Sequence, residues 1–390
     1  MRSGSLAPGS QTSGFDVAVV GAGIVGLAHA LAAAKAGKRV VVIDRDPRAN
    51  GASIRNFGFV TVTGQERGES WSLARRTRDI WAAVAPEAGI AVEQRGLILT
   101  VRRPEAVAVA DAFLGTEMGD GCTWLDAADF SRRHGPIAAD GALGALVSPH
   151  ELRVESRTAL PKLAAWLEAA YGVAFLTETV VHSVAPPRIE TSRGPVSAET
   201  AIVCPGDDFT SLFPHRIAAY RPQRCRLSML RLASPGFGLP APVMSDLSLV
   251  RYAGYAALPQ AEALRRRLNQ EQPAHLANGV HLIAVQSADG SLVVGDSHHY
   301  GDLPAPFAPA EAEACILDEF HRATGLTPPP VLERWVGTYP VAEGRNYFID
   351  APSDDVRLVM VTSGTGASTG FAIAEKTTAD LFGCTSGVGR

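Results

Sequence analysis

The chain has 390 residues, 46% hydrophobic and 19% charged, the proportions of an ordinary soluble globular protein with room for two or more units sharing sizeable cores. Its formal charge of −4, with no basic block, leaves no electrostatic footprint for nucleic acid or an anionic membrane, so small molecules become the expected partners. No apolar run reaches the length of a membrane span, and Cys122, Cys204, Cys225, Cys315 and Cys384 lack the spacing of a zinc site or disulfide framework, which fits reduced thiols in the cytoplasm.

Residues 1–14 are rich in Ser, Gly and other small residues, lack the apolar centre of a signal peptide and carry no packing periodicity, so a disordered arm is expected. Residues 15–20 then form an apolar strand running into Gly21-Ala22-Gly23-Ile24-Val25-Gly26, and residues 27–36 continue as an alanine-rich helix. A glycine-rich loop between strand and helix is the context that dinucleotide binding requires. Gly21 permits the tight turn, Gly23 removes a side chain that would block the pyrophosphate, and Gly26 lets helix and strand pack closely, with Ile24 and Val25 at a helix N-terminus facing the phosphates. Asp44 ends the next strand, 39–43, with Arg45 beside it; a carboxylate there accepts from a ribose 2′-hydroxyl and repels a 2′-phosphate, which points to FAD or NAD rather than NADP.

A mixed segment, 89–146, with a strand at 96–101 and helices at 104–113 and 126–134, reads as an insertion. A helix at 156–170, strands at 173–176 and 179–184, a hairpin through 189–196 and a strand at 200–204 then repeat the logic of a nucleotide-binding half, closed by the turn Pro205-Gly206-Asp207-Asp208. Strands follow at 225–232, 247–257, 280–285 and 292–295, with a helix at 309–324. Arg102-Arg103 and Arg265-Arg266-Arg267 read as solvated charge runs. The chain closes with a strand at 357–362, the turn Ser363-Gly364-Thr365-Gly366-Ala367-Ser368-Thr369-Gly370 and a helix at 371–381, a second place where backbone amides and a helix dipole meet a ligand. The expected fold class is α/β: a Rossmann-like dinucleotide-binding domain from 15–88, 147–220 and 331–390, and an α+β substrate domain with a mostly antiparallel sheet from 89–146 and 221–330.

This arrangement resembles the D-amino-acid-oxidase-like flavoenzymes, the superfamily of glycine oxidase and sarcosine oxidase, over nearly the whole chain after the N-terminal arm. The likeness is carried by Gly21 to Gly26 with Asp44, by Gly51-Ala52-Ser53, and by Arg153-Val154-Glu155-Ser156-Arg157. It implies FAD, with backbone near Val180-Val181 against the adenine, Cys204-Pro205-Gly206 closing the nucleotide sheet, and Ser363, Gly364, Thr365, Gly366, Ala367 and Ser368 along the flavin ring and ribityl chain. A finer likeness is to a bacterial branch linked to phosphonate breakdown, carried by Arg55-Asn56-Phe57-Gly58, Thr63-Gly64-Gln65, Ser148-Pro149-His150-Glu151-Leu152-Arg153 and Gly295-Asp296-Ser297-His298-His299-Tyr300. It implies oxidation of the carbon–nitrogen bond of an aminoethylphosphonate-type compound.

Two departures are informative. The stretch Trp335-Val336-Gly337-Thr338-Tyr339-Pro340 resembles one that in glycine oxidase has an arginine before the proline, gripping the substrate carboxylate; Tyr339 stands here and offers no such fork. The same stretch, with Gly337 expected near the cofactor, lacks the cysteine by which sarcosine oxidase links its flavin, implying non-covalent FAD. Val293 stands near the position of sarcosine oxidase's oxygen-activating lysine, so the electron acceptor, oxygen or another, stays open.

Ala52, Ser53, Arg55 and Asn56 are expected to pass the isoalloxazine, with Arg55 either stabilising reduced flavin, holding a phosphonate, or merely bridging two domains. His298 and His299 follow a strand end, and neighbours in an extended chain face opposite sides, so at most one acts on the substrate. Arg251 and Tyr252, placed in the strand at 247–257, are candidates for an anionic head group, and Tyr339 is either a pocket or a packing residue. No further His or acid cluster shows ligand spacing, and no metal is expected. The expected activity is FAD-dependent oxidation of an aminophosphonate; the alternatives are an oxidase of glycine- or sarcosine-like amino acids and a flavin protein that only relays electrons. Oligomeric state stays open.

Overall fold

The computed structural model describes residues 14–383; the expected arm at 1–14 lies, but for Gly14, outside them, as does Cys384. In the described residues the chain builds two sheets, of eight and ten strands. The first is a run of parallel strands in the order Val356–Val361, Val196–Val203, Phe15–Val20, Val40–Ile43 and Ala174–Leu176. Tyr347–Ser353 is added antiparallel at one edge. Val17, Ala18, Val19, Val41 and Ile43 are almost wholly buried, as a parallel sheet covered on both faces requires. The helix Ile24–Lys35 packs against Gly366–Phe382, and a helix with no assigned expectation, Glu69–Glu87, packs on the latter through Trp81 and Phe371, whose rings meet edge to face at 5.1 Å.

The second sheet is mostly antiparallel, with one parallel pairing between Val243–Ser245 and Val92–Val101. Val331–Val341 pairs along the length of Gln223–Leu232 in this sheet, and Gly144–Val154 pairs here with Val92–Val101, so the boundaries expected at 147 and 331 do not divide the sheets. Val331–Val341 carries Gly337, Thr338, Tyr339 and Pro340 to the cavity where the sheets meet.

The strand expected at 247–257 is instead a tight 3-10 turn, Asp246–Val250, followed by the short helix Ala253–Ala256. Leu247 and Leu249 are buried, which mimics strand alternation, but Ser248 Oγ donates to the His281 carbonyl at 2.8 Å and Asp246 accepts from the Arg102 backbone at 3.1 Å. These long-range bonds anchor the turn to neighbouring segments, tertiary contacts that a local alternation pattern does not reveal. A helix, Ala261–Glu271, fills the interval between the strands expected at 247–257 and 280–285, and its exposed Arg266 and Arg267 pair with Glu262 and Glu271. Arg103 is a correction: 5% exposed, it pairs with Asp246 at 2.7 Å and with Glu271 at 2.7 Å.

Beside that buried network lies Glu319, fully buried, with Gln272 donating to it at 2.6 Å. Burial, then the nearby Asp246 charge, push its pKa up to about 7. An acid whose folded pKa exceeds its unfolded value is more stable protonated, so its contribution is present below about pH 4.5 and is lost as pH rises through 7. Glu319→Gln should therefore gain about 3 kcal/mol on wild type between pH 4.5 and 8, read as the widening gap between their denaturant midpoints. A gap that is flat with pH would contradict a carboxyl held protonated there.

No helix among the described residues is long and apolar enough to cross a membrane.

Candidate active site

Where the two sheets meet, the first strand ends at Gly21, whose φ of +104° is open to glycine and whose absent Cβ would meet the Cys204 carbonyl oxygen at 2.5 Å. Gly26 is more constrained still: a Cβ there would lie 1.8 Å from the Gly21 carbonyl oxygen. Helix Ile24–Lys35 starts one turn earlier than expected, and its N-cap residue, Gly23, has no side chain to cap it. The Ile24 amide donates to Ser53 Oγ at 2.9 Å, which ties the following turn, Ala52–Ile54, to the glycine loop. Asp44 closes its strand with Oδ2 accepting from the Ala22 amide at 2.5 Å and Oδ1 from the Asp46 amide at 2.8 Å, so its orientation is set by the loop it serves.

Gly21, Gly23, Asp44, Arg45, Val181, Cys204 and Gly206 line a groove of about 210 Å³. It opens past Gly23, Ala52, Ser53, Cys204 and Gly206 into a cavity of about 440 Å³ lined by Ile24, Val25, Gly26, Arg55, Asn56, Gly337 and Ser363, Gly364, Thr365, Gly366, Ala367 and Ser368. The trench thus runs from a ribose-facing acid, past the N-terminus of helix Ile24–Lys35, to the C-terminal glycine turn. The residues present fit FAD: a glycine cradle whose side chains would collide with backbone, a helix N-terminus for the pyrophosphate, and an acid at the adenosine end. The C-terminal helix begins at Gly366, inside the glycine turn rather than after it, so its own N-terminus faces the cavity. Among the described cysteines all four are free.

Arg55 and Asn56 line the cavity, but their polar groups serve the chain. Arg55 donates to the Val336 carbonyl and to Asn50, each at 3.3 Å, bridging the Ala52–Ile54 turn to the second sheet. Asn56 donates to the Ala52 carbonyl at 2.7 Å and accepts from the Gly58 amide at 2.7 Å and Ser156 at 3.0 Å. Gly337 lets the crossing strand approach: its Cβ would meet the Arg55 carbonyl oxygen at 3.0 Å.

The far end of the cavity carries Arg251, Tyr252, His298 and Tyr339, together with His281 and Asp296, which spacing alone did not single out. Arg251 sits just after the 3-10 turn and donates to Tyr300 at 2.7 Å. Tyr339 packs against the glycine turn, where a Cβ on Gly364 would meet its ring at 2.8 Å, and burial raises its phenol pKa well above the usual range. His299 does not line the cavity; it pairs with Arg226 in the edge strand His299–Gly301.

His281, Asp296 and His298 are 3%, 5% and 6% exposed, and form a cluster of metal-ligand type against the expectation that none would be found. Pairing of Ile283 with Gly295 brings His281 to Asp296, and the two imidazoles stack with centroids 5.1 Å apart. His298 Nδ1 lies 2.8 Å from the Gly279 carbonyl oxygen, which requires Nδ1–H as donor and leaves Nε2 as a lone pair. Burial, opposed by the Asp296 charge, lowers the His298 pKa to about 3. Burial alone would raise Asp296, but the His298 and His281 rings and Arg251 outweigh it and hold the carboxyl at about 2, so the far end of the cavity carries a carboxylate beside a neutral His298 at neutral pH.

A family model for FAD dependent oxidoreductases (DAO) matches residues 16–380. The chain belongs to that family. Solved structures similar to this FAD-dependent oxidoreductase include glycine oxidase from Bacillus cereus, at 15% identity, covering 95% of this chain and 96% of that one with a TM-score of 0.73. L-proline dehydrogenase from P. horikoshii has 16% identity, coverage of 96% and 95% and a TM-score of 0.76. L-alpha-glycerophosphate oxidase from Mycoplasma pneumoniae, with FAD bound, has 14% identity, 95% coverage of each chain and a TM-score of 0.70. At these identities the likeness carries the fold. No curated protein sequence matches the oxidoreductase.

Proposed function

We propose that this oxidoreductase oxidises the carbon–nitrogen bond of a small amine with an anionic head group, an aminophosphonate such as 2-aminoethylphosphonate or its N-methyl or hydroxy derivative. The observation that carries this reading is a cavity, continuous with the dinucleotide trench, that presents the Arg251 guanidinium and the Asp296 carboxylate to one molecule. An anion at one end and an amine at the other are what such a pair selects. The resemblance to glycine oxidase, with Tyr339 in place of its carboxylate-gripping arginine, favours a head group other than an α-carboxylate.

Asp296 and the His298 Nε2 lone pair accept N–H from the substrate ammonium and orient it; both are too weakly basic to keep the proton, which passes to water before the α-carbon reacts. Arg251, with Tyr300 fixing its guanidinium, takes the anion, and Tyr252 and Tyr339 wall off water. Bound FAD would supply the hydride acceptor for the α-carbon, and hydrolysis of the resulting imine by water would give an aldehyde and ammonia or methylamine. Arg55 and Asn56 act by holding the turn between trench and cavity. Oxygen as electron acceptor and a cytoplasmic setting, the latter resting on free thiols, belong to the same proposal.

The rival substrates are glycine- or sarcosine-like amino acids, whose carboxylate Arg251 would also bind. Steady-state release of aldehyde and ammonia from each class, compared as kcat/KM, tests the choice: preference for the phosphonates supports it, and preference for glycine or sarcosine overturns it. Arg251→Met should raise KM for the phosphonate about 10–100-fold with a smaller change in kcat, the effect of one lost charge-assisted hydrogen bond.

A further inference from the structure

We infer that His281, Asp296 and His298 form a site for one divalent first-row transition cation, of the Zn²⁺ or Co²⁺ class, opening into the substrate cavity. His281 Nε2 lies 3.1 Å from Asp296 Oδ1 and His298 Nε2 lies 3.6 Å from Asp296 Oδ2. Ligand atoms at bonds of about 2.0–2.1 Å around a tetrahedral ion stand about 3.3–3.4 Å apart, and one ligand atom from each of the three residues lies within 4.8 Å of the others, so small side-chain rotations complete such a shell. These contacts do not amount to a completed hydrogen-bond network: Asp296 Oδ1, 3.1 Å from the His281 ring, lacks hydrogen-bond geometry, and His281 Nδ1 is buried without a partner. A buried acceptor held against a ring nitrogen without a bond is an arrangement that a cation would complete.

The surroundings also resemble those of a ligand set. His298 commits Nδ1–H to the Gly279 carbonyl, the outer-shell contact that fixes a ligating imidazole with its other nitrogen free. Gly279 permits this by lacking a side chain, since a Cβ there would meet the His298 Cβ at 2.8 Å. The His281 carbonyl is pinned by Ser245 at 3.2 Å and Ser248 at 2.8 Å, and the Tyr252 ring meets the His281 ring edge on at 5.4 Å. Two imidazoles and one carboxylate suit zinc, cobalt and their neighbours rather than Mg²⁺ or Ca²⁺, and three protein ligands leave a position open toward the cavity that all three residues line. A cation there takes the place assigned above to the substrate amine, so it should exclude the amine. Binding itself does not depend on that reading; inhibition does.

The test uses FAD-loaded protein stripped of metal with a chelator, titrated with ZnCl₂ by calorimetry and followed by zinc X-ray absorption. One equivalent bound, with a dissociation constant on the order of 1 µM or below and two imidazole nitrogens in the zinc shell, is expected. His281→Gln and Asp296→Asn, each keeping the wild-type flavin spectrum, should weaken binding at least about 10-fold. No saturable binding, or a zinc shell without imidazole, overturns the inference, and the absorption measurement on wild type decides the matter even where a variant does not fold. Zn²⁺ should raise KM for the amine without changing kcat. Zinc bound to both imidazoles with no effect on turnover would uphold the metal site and contradict the place proposed for the amine.

Discussion

Replacing Asp296 with asparagine is expected to lower kcat/KM for the amine substrate by about 10²–10³-fold while leaving FAD bound. The carboxylate is 5% exposed and stays ionised against the cost of burial, with the Arg251 charge nearby. An amide of the same shape keeps the packing but loses the charge that faces the substrate nitrogen. Truncating one partner of a buried, hydrogen-bonded charge pair costs about 2–5 kcal/mol, which brackets that loss. Stopped-flow reduction of the bound flavin by substrate reads the effect without interference from the electron acceptor. A variant within threefold of wild type would remove Asp296 from the substrate's surroundings.

Gly26→Ala is expected to yield protein that does not retain FAD. The added methyl would sit 1.8 Å from the Gly21 carbonyl oxygen and 2.9 Å from its carbon, both backbone atoms of the same loop, so no side chain can swing aside to relieve it. Overpacking a well-ordered core costs about 1–3 kcal/mol, and here the strain falls on the loop that shapes the pyrophosphate cradle. The measurement is the ratio of flavin to protein absorbance after gel filtration. A ratio equal to wild type, with unchanged thermal stability, would show that the loop does not approach the helix as closely as described.

The dinucleotide half was legible in the sequence because its signals are local: strand, three glycines, helix and Asp44 fall within one supersecondary unit. The C-terminal turn was legible for the same reason, though the helix begins at Gly366, since a glycine-rich run looks like a loop even when its second half is helical. Leu247 to Val250 misled because burial of Leu247 and Leu249 in a 3-10 turn gives the same alternation as a strand. Arg103 misled because a charge pair beside a helix start reads as solvated unless its acids, Asp246 and Glu271, are known to be near.

His281 was missed for a related reason. It precedes the strand Ile283–Gln286 by two residues, and only the antiparallel register of that strand with Leu292–Gly295 sets it against Asp296. The usable signal was the pairing of two short apolar strands with a His before one and an Asp-Ser-His after the other. The expected likeness to phosphonate-linked flavoenzymes drew on Asp296-Ser297-His298 but not on His281.

The central claim is that the cavity lined by Arg251 and Asp296 admits an aminophosphonate to a bound FAD. Its most direct test is anaerobic mixing of the purified protein with N-methyl-2-aminoethylphosphonate while the oxidised flavin band is followed. Rapid bleaching, absent or far slower with glycine and sarcosine, is the expected result. An unchanged band with every aminophosphonate, alongside rapid bleaching by glycine or sarcosine, would contradict it.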